Sequence, residues 1–303
     1  MAAIETDGLT KRYDGTVGVD DLDLTVERGE AFGFLGPNGA GKSTTISLLL
    51  DFLHPTAGEA RVFGLDSHDE SLRIRERVGV LPEDTAPYDR LTGREHLELS
   101  AECKGVDGDP GAVLDRVGLD PADAERAVGG YSTGMAQRLG IGMALIGDPD
   151  LLILDEPSAG LDPTGMREMR DLIREEVAGG TTVFFSSHHL GEVEAVCDRV
   201  GILDGGELVA EGDIGSLREE LLADSTIEVT LAEGETVVPS LDPVDGVVAV
   251  ERDGQTLRIT CDRPSAKSAA VAFLHEHAAV RDVVAEPPSM EAMFEHYTGG
   301  DAA

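Results

Sequence analysis

An α/β fold of the phosphate-loop type, with an inserted helical subdomain and a small C-terminal α/β accessory domain, is what the 303-residue sequence predicts. The apolar run Ala31–Leu35 passes directly into Gly36-Pro37-Asn38-Gly39-Ala40-Gly41-Lys42-Ser43, then into Ile46, Leu49, Leu50 and Leu53, spaced as one face of a helix. A second apolar run, Leu151–Leu154, ends in the paired carboxylates Asp155 and Glu156. Strand and helix patterns then alternate, as in a parallel sheet covered by helices. At about 100–200 residues per domain, the length predicts about two domains. We place them at residues 1–220 and 221–303, with 84–130 as the helical subdomain.

Within 84–130 the composition turns polar, and Thr92 with Glu95 has the spacing of a capping box ahead of Leu97 and Leu99. A helix is predicted from Met135 to Ile146, with Met135, Leu139, Met143 and Ile146 on one face. After Leu151–Leu154, a helix carries Met166, Met169, Leu172 and Ile173, and Thr181–Phe185 reads as a β-branched and aromatic strand. A helix with Leu190, Val193 and Cys197 follows, then a strand Val200–Leu203 closed by the hairpin turn Asp204-Gly205-Gly206. Beyond residue 220 come short strands at Ile227–Leu231, Val247–Glu251, Leu257–Cys261 and Val280–Ala285, with a helix at Ala266–His277. Pro287-Pro288 interrupts the chain, and Ser289 is placed to cap a last helix presenting Met290, Met293, Phe294 and Tyr297.

The net charge is −35, from 24 basic and 59 acidic residues, and only Lys11, Lys42, Lys104 and Lys267 are lysines. A nucleic-acid binder needs a basic stripe to neutralise phosphates, and none is present. Two readings of the acidity compete: a face for cationic partners, or adaptation of the whole surface to a salt-rich cytoplasm. The second is favoured because the charge is spread along the chain, and at 1 M salt the Debye length shrinks to about 3 Å. Cys103, Cys197 and Cys261 lack the spacing of a disulfide framework or a zinc site. The N-terminus lacks a signal-peptide pattern and no run reaches the length of a membrane span, so action at a membrane requires another chain to cross it.

The glycine-rich loop carries the clearest chemistry. Glycines let backbone N–H groups curl around phosphates, and the following helix presents its positive end to them. Lys42 is placed to neutralise β- and γ-phosphates, and the Ser43 hydroxyl to ligate Mg²⁺. Asp155 and Glu156 stand at the carboxyl end of a buried strand, where ligands bind in open α/β sheets. From there Asp155 reaches the Mg²⁺ shell and Glu156 polarises the attacking water. Ser132 and Gly134 begin a helix and form a second anion site, although Ser132 as a plain N-cap remains open. His188 follows a strand; His189 carries no expectation, and the other histidines read as surface residues.

In order and spacing, these motifs resemble the ATP-binding subunit of ATP-binding-cassette (ABC) transporters over residues 4–220. The resemblance identifies Gly36–Thr44, including Ala40 and Thr44, as Walker A, and Leu151–Glu156 as Walker B. It makes Tyr13 the residue that stacks on adenine and His188 the switch residue at the γ-phosphate, with Ser158–Asp162 as the D-loop. Tyr131–Met135 stands at the signature position, whose Ser132 and Gly134 face the ATP of an opposing subunit. Two departures stand out: the signature keeps only Ser132 and Gly134 of Leu-Ser-Gly-Gly-Gln, and Glu83 replaces a glutamine that contacts Mg²⁺. The Tyr-Ser-X-Gly-Met form and the segment Pro288–Phe294 resemble exporter subunits of the ABC-2 type. The resemblance implies an ATPase that takes ATP and Mg²⁺, closes as a homodimer or heterodimer on two nucleotides, and drives an integral-membrane permease from the cytoplasmic face. A soluble, non-transport ABC ATPase remains open as an alternative, as does a kinase on the same loop, which leaves the signature segment unexplained.

Overall fold

The computed structural model describes residues 2–83, 86–221, 225–232, 240–241, 243–284 and 289–299. The chain opens with two long strands, β1 (Ala2–Tyr13) and β2 (Thr16–Glu27), which pair antiparallel through Ile4↔Val26 and Leu9↔Leu22. Leu22, Leu24 and Val26 are buried and alternate with exposed Asp21, Asp23, Thr25 and Glu27, the pattern of a half-buried strand. This hairpin is absent from the sequence reading above. Next come β3 (Ala31–Leu35) and α1 (Lys42–Leu49), followed by β4 (Ala57–Val62) and β5 (Leu65–Asp66). The last two complete a four-stranded sheet in the order β2-β1-β4-β5. Helix α1 stops at Leu49, short of Leu53, because the chain turns through Asp51 in the left-handed region at φ 58°.

After α2 (Ser71–Arg75) and β6 (Val78–Leu81), the helical region contains α3 (Gly93–Lys104), α4 (Pro110–Arg116) and α5 (Pro121–Ala124), then α6 (Thr133–Leu145). Residues 84 and 85, where the predicted subdomain begins, lie outside the described residues. The capping box at α3 is present: Thr92 Oγ1 accepts from Glu95 N at 3.1 Å, and Glu95 Oε2 accepts from Thr92 N at 2.7 Å. Leu97 is buried but Leu99 is exposed, because positions two apart fall on different sides of a helix. On α6 the single predicted face is corrected. Leu139, Ile141, Gly142, Ala144 and Leu145 are all buried, while Met135 and Met143 are half-buried, because α6 meets β6 on one side and α3 and α4 on others. Its approach to the sheet is close enough that a Cβ on Gly79 would lie 2.1 Å from the Ala144 carbonyl oxygen.

The rest of the first unit alternates: β7 (Leu151–Asp155), α7 (Pro163–Ala178), β8 (Thr182–Ser187), α8 (Leu190–Val196), β9 (Arg199–Asp204) and β10 (Glu207–Asp213). The six-stranded sheet runs β10-β9-β3-β8-β7-β6, with β9, β3, β8, β7 and β6 parallel to one another. Gly205 and Gly206, at φ 56° and 95°, make the turn that two-residue hairpins favour. Phe32, Phe34 and Phe184 are fully buried, with the Phe32 and Phe34 ring centroids 6.1 and 5.1 Å from that of Phe184. Burying each such side chain stabilises by about 1.5–3 kcal/mol, against about 0–1 kcal/mol for an exposed ion pair. The core, not the charged surface, therefore holds the sheet.

Two compact units divide the chain, residues 1–212 and 213–303. The second contains α9 (Ile214–Leu221), β11 (Ser225–Leu231), β12 (Val247–Asp253), β13 (Thr256–Cys261), α10 (Pro264–His277), β14 (Val280–Val284) and α11 (Met290–Tyr297). Its sheet, β12-β13-β11-β14, is antiparallel and packs Ile227, Val229, Ile259 and Cys261 into a core with Ala270 and Leu274 of α10. Ser289 Oγ caps α11 by accepting from Ala292 N at 3.2 Å. Met290 and Met293 are buried, whereas Ala285 and Pro287-Pro288 lie outside the described residues. No cysteine is paired: Cys103 is exposed, and Cys197 and Cys261 are buried thiols whose pKa is pushed up by burial.

His96 corrects the reading of the remaining histidines as surface residues. It is 1 % exposed, its Nε2 accepts from Tyr88 N at 2.9 Å, and its Nδ1 donates to Thr92 O at 2.8 Å. His96→Ala leaves the Tyr88 amide without this acceptor, and a loss of about 1–3 kcal/mol is expected, read as an earlier denaturant midpoint together with faster hydrogen exchange at Tyr88.

Candidate nucleotide-binding site

The site forms at the carboxyl ends of three neighbouring parallel strands. Their register aligns Phe34 with Ser186 and Leu35 with Ser187, while Asp155 pairs with Ser186, so the loop after β3 stands over the acidic end of β7. The loop Gly36–Gly41 curls through left-handed glycines, Gly39 at φ 85° and Gly41 at 112°. Gly41 has no room for a side chain, since a Cβ there would lie 2.3 Å from the Gly18 carbonyl oxygen. Backbone bonds from Ala40 N to Pro37 O, 3.1 Å, and from Gly206 N to Ala40 O, 3.0 Å, fix the curl.

Lys42 is the loop's cation, with only 7 % of its surface exposed. Its Nζ donates to Gly36 O at 2.6 Å and to Pro37 O at 3.3 Å, and lies 4.0 Å from Glu156 Oε1. Burial lowers the Lys42 pKa, and the fields of Glu156, Asp155 and Glu83 pull it back up. The ammonium thus sits partly desolvated at the focus of three carboxylates.

Asp155 and Glu156 are 5 % and 6 % exposed. Asp155 Oδ1 accepts from Ser186 Oγ at 2.6 Å. The carboxylate of Glu156 is held by His188 Nδ1 at 2.8 Å from Oε1 and by Ser187 Oγ at 3.4 Å from Oε2. Its backbone lies at φ 50°, a conformation costing a non-glycine residue about 1–3 kcal/mol. The amide of Glu156 donates to Ser186 O at 3.0 Å, which helps hold that turn.

Lys42, Asp155 and Glu156 border a cavity of about 380 Å³ that also meets Tyr13, Ser43, Thr44 and Glu83. Tyr13 is 44 % exposed, with Lys11 Nζ 5.5 Å from its ring centroid, so one aromatic face stands at the cavity edge. Ser43, Asp155 and Glu83 bring oxygen donors only, the set that a hard cation such as Mg²⁺ takes. Asn38, Gly39 and Gly41 line the cavity, whereas Gly36 and Pro37 act behind it as acceptors for Lys42.

Ser132 and Gly134 are elsewhere. They border a separate cavity of about 530 Å³ with Gly160 and Asp162. Ser132 is exposed and its Oγ accepts from Met135 N at 3.2 Å, so the N-cap reading holds while the start of α6 still faces open space. A bond with no signature in the sequence reading ties α6 to the residue after Glu156: Gln137 Nε2 donates to Pro157 O at 2.7 Å. A second missed pair is Ser158 Oγ to Glu192 Oε2, 2.5 Å and buried. Neither has a local signature, since the partners are 20 and 34 residues apart.

The ABC transporter family profile matches residues 19–159. The daunorubicin resistance ATP-binding protein DrrA3 of Streptomyces coeruleorubidus is 38 % identical over 309 residues, covering 99 % of this chain and 96 % of that protein. The chain belongs to the ABC transporter family, as an ATP-binding subunit. Bacitracin transport ATP-binding protein BcrA of Bacillus licheniformis is 44 % identical over 211 residues, 69 % of either chain. Among solved structures, an ATP-binding subunit of an ABC transporter superposes with TM-score 0.66 at 30 % identity, covering 72 % of this chain and 93 % of its own. A dimeric cassette bound to ADP and Pi, with TM-score 0.65 over 70 % of this chain and 98 % of its own, is 23 % identical and shares the fold. As a member of this family, the ABC subunit described here is an ATPase.

Removing the only ammonium in this cavity tests its electrostatics. Lys42→Ala is expected to weaken ATP binding at least a hundredfold, about 2.7 kcal/mol, in equilibrium titration with a fluorescent ATP analogue, with an unchanged circular dichroism spectrum.

Proposed function

We propose that this subunit powers export through a separate integral-membrane permease, as one of a homodimeric or heterodimeric pair of ATPases that closes on two ATP molecules at the cytoplasmic face of the membrane. The observation that carries this reading is the separation of the two anion sites. Lys42, Asp155, Glu156 and His188 converge beside one cavity, while Ser132 and Gly134 open onto another. A nucleotide gripped by the first in one copy meets the second in a facing copy. Resistance and transport in the names of the relatives above support an exporter. Among the described residues no helix is long and apolar enough to cross a membrane, consistent with a crossing made by a partner.

In this reading, Tyr13 stacks on adenine, and the amides from Gly36 through Thr44, with Pro37 and Ala40 shaping the curl, wrap the phosphates. Lys42 exchanges its bonds to Gly36 O and Pro37 O for bonds to β- and γ-phosphate oxygens. Ser43, Asp155 and Glu83 would hold Mg²⁺, which supplies charge neutralisation at those phosphates. Glu156 orients and polarises the water that attacks the γ-phosphorus while the ADP oxygen leaves. His188 is held on Glu156, so it reaches the γ-phosphate without leaving the carboxylate that positions it. Catalysis here is positioning and charge stabilisation rather than covalent chemistry. Glu83 carries charge where a neutral glutamine would not, which favours a bound divalent cation over bare phosphate.

Glu156→Gln is expected to lower ATP turnover by about 10²–10⁴-fold and to trap a dimer with ATP and Mg²⁺ in light scattering at molar KCl. Changing Ser132 to Trp in that background should return it to monomer; a dimer that survives would overturn the in-trans role of the signature.

The charge of −35 supports a further element of this reading, a surface adapted to concentrated salt. Dialysis from molar KCl into dilute buffer is expected to abolish the helical circular dichroism signal as self-repulsion becomes unscreened. Retention of that signal would count for the acidic-face alternative.

A further inference from the structure

Far from the phosphate end of α1, the turn that stops this helix gathers a second set of donor atoms. Asp51 Oδ1 lies 3.1 Å from His54 Nδ1 and 2.8 Å from His68 Nδ1. The imidazole rings are 4.4 Å apart and nearly perpendicular, at 75°. All three donor atoms fall within 4.8 Å of one another. Both nitrogens are Nδ1, and both converge on one carboxylate oxygen that is itself held in a left-handed turn at φ 58°.

Hydrogen bonding alone is a poor account of this convergence. His54 and His68 are 68 % and 62 % exposed, and exposed pairs of this type contribute about 0–1 kcal/mol. The non-glycine turn at Asp51 costs about 1–3 kcal/mol, which such pairs do not offset. A shared cation accounts for the geometry better. Ligand atoms about 2.0–2.2 Å from one ion lie about 2.8–3.6 Å apart at octahedral or tetrahedral angles, so the two nitrogen–oxygen edges at 2.8 and 3.1 Å need movements of only tenths of an ångström. The neighbouring charge favours a cation, because Asp66 and Asp69 act on His68 together with Asp51. Arg75 opposes it, but its Nη2 is 3.8 Å from the other oxygen, Oδ2, and is anchored on Leu50 O at 2.8 Å. Oδ1 is left facing the imidazoles.

We propose that Asp51, His54 and His68 form a surface site for a divalent transition-metal ion of the Zn²⁺ class, with water completing its coordination. Two imidazole nitrogens and one carboxylate oxygen suit Zn²⁺ and its late first-row neighbours, whereas Mg²⁺ prefers oxygen alone. The site is therefore chemically distinct from the oxygen-lined nucleotide cavity. Bound metal would clip the end of α1 to the turn between β5 and α2, 17 residues further along the chain.

The test is calorimetric titration of the full-length, tag-free protein with Zn²⁺, with Co²⁺ absorption as a second readout. One equivalent is expected to bind and to resist excess Mg²⁺. His54→Ala and His68→Ala should each weaken that equivalent at least tenfold and remove the Co²⁺ ligand-field band, while His275→Ala leaves both unchanged. Wild-type protein that takes up no Zn²⁺ equivalent would overturn the proposal. So would an equivalent that persists in the His54→Ala/His68→Ala double variant or that Mg²⁺ displaces. ATP binding measured on the same variants checks that they are folded.

Discussion

Lys42 carries a positive charge into a place where water barely reaches, and a buried charge must be paired or it will be neutralised. The solution adopted here sets the geometry of the first unit. Two carbonyls of the lysine's own loop accept from it, and Glu156 stands 4.0 Å away. Those partners occupy one place only because β3, β8 and β7 are parallel and in a register that ends all three together. Parallel strands need crossovers, which is why α7 lies between β7 and β8, two of the strands that build the site. In the proposed function the same pairing is exchanged for phosphate oxygens, since the carbonyls that hold Lys42 stand beside the space a triphosphate would fill.

The Glu156 carboxylate is controlled by its neighbours in a similar way. Ser187 and His188 hold Glu156 from the adjacent strand, and Ser186 holds both the Asp155 side chain and the Glu156 amide. Consecutive residues at the end of β8 therefore orient consecutive residues at the end of β7. Gln137 extends the network to α6, whose N-cap is Ser132. A displacement of α6 is thus felt at Pro157, one residue from the carboxylate, without passing through solvent.

Much of this was legible in the sequence because it is written in local patterns. The loop, the acidic strand end and the capping box each depend on residues within a few positions of each other, and each sits where its spacing placed it. What escaped was non-local or masked by charge. The β1–β2 hairpin is so rich in Asp, Glu and Thr that its alternating Leu22, Leu24 and Val26 do not stand out, yet it supplies Tyr13 and one wall of the cavity. His96 was taken for a surface residue because nothing in sequence tells that Tyr88 would fold back onto it. On α6, a helix touched on several sides does not show a single apolar stripe, so its periodicity named too narrow a face. Leu53 was misplaced because Asp51 takes a left-handed turn that side-chain spacing does not reveal.

The left-handed backbone at Glu156 has an evolutionary consequence. A glycine there would relax the turn, yet it would discard the carboxylate in the same step. Every other side chain inherits the strain and lacks the acid's reach or charge. The position is thus a local optimum that selection for stability alone would abandon. Stabilising drift in this fold has to collect elsewhere, in the aromatic core or the helix caps, while the tension at Glu156 stays.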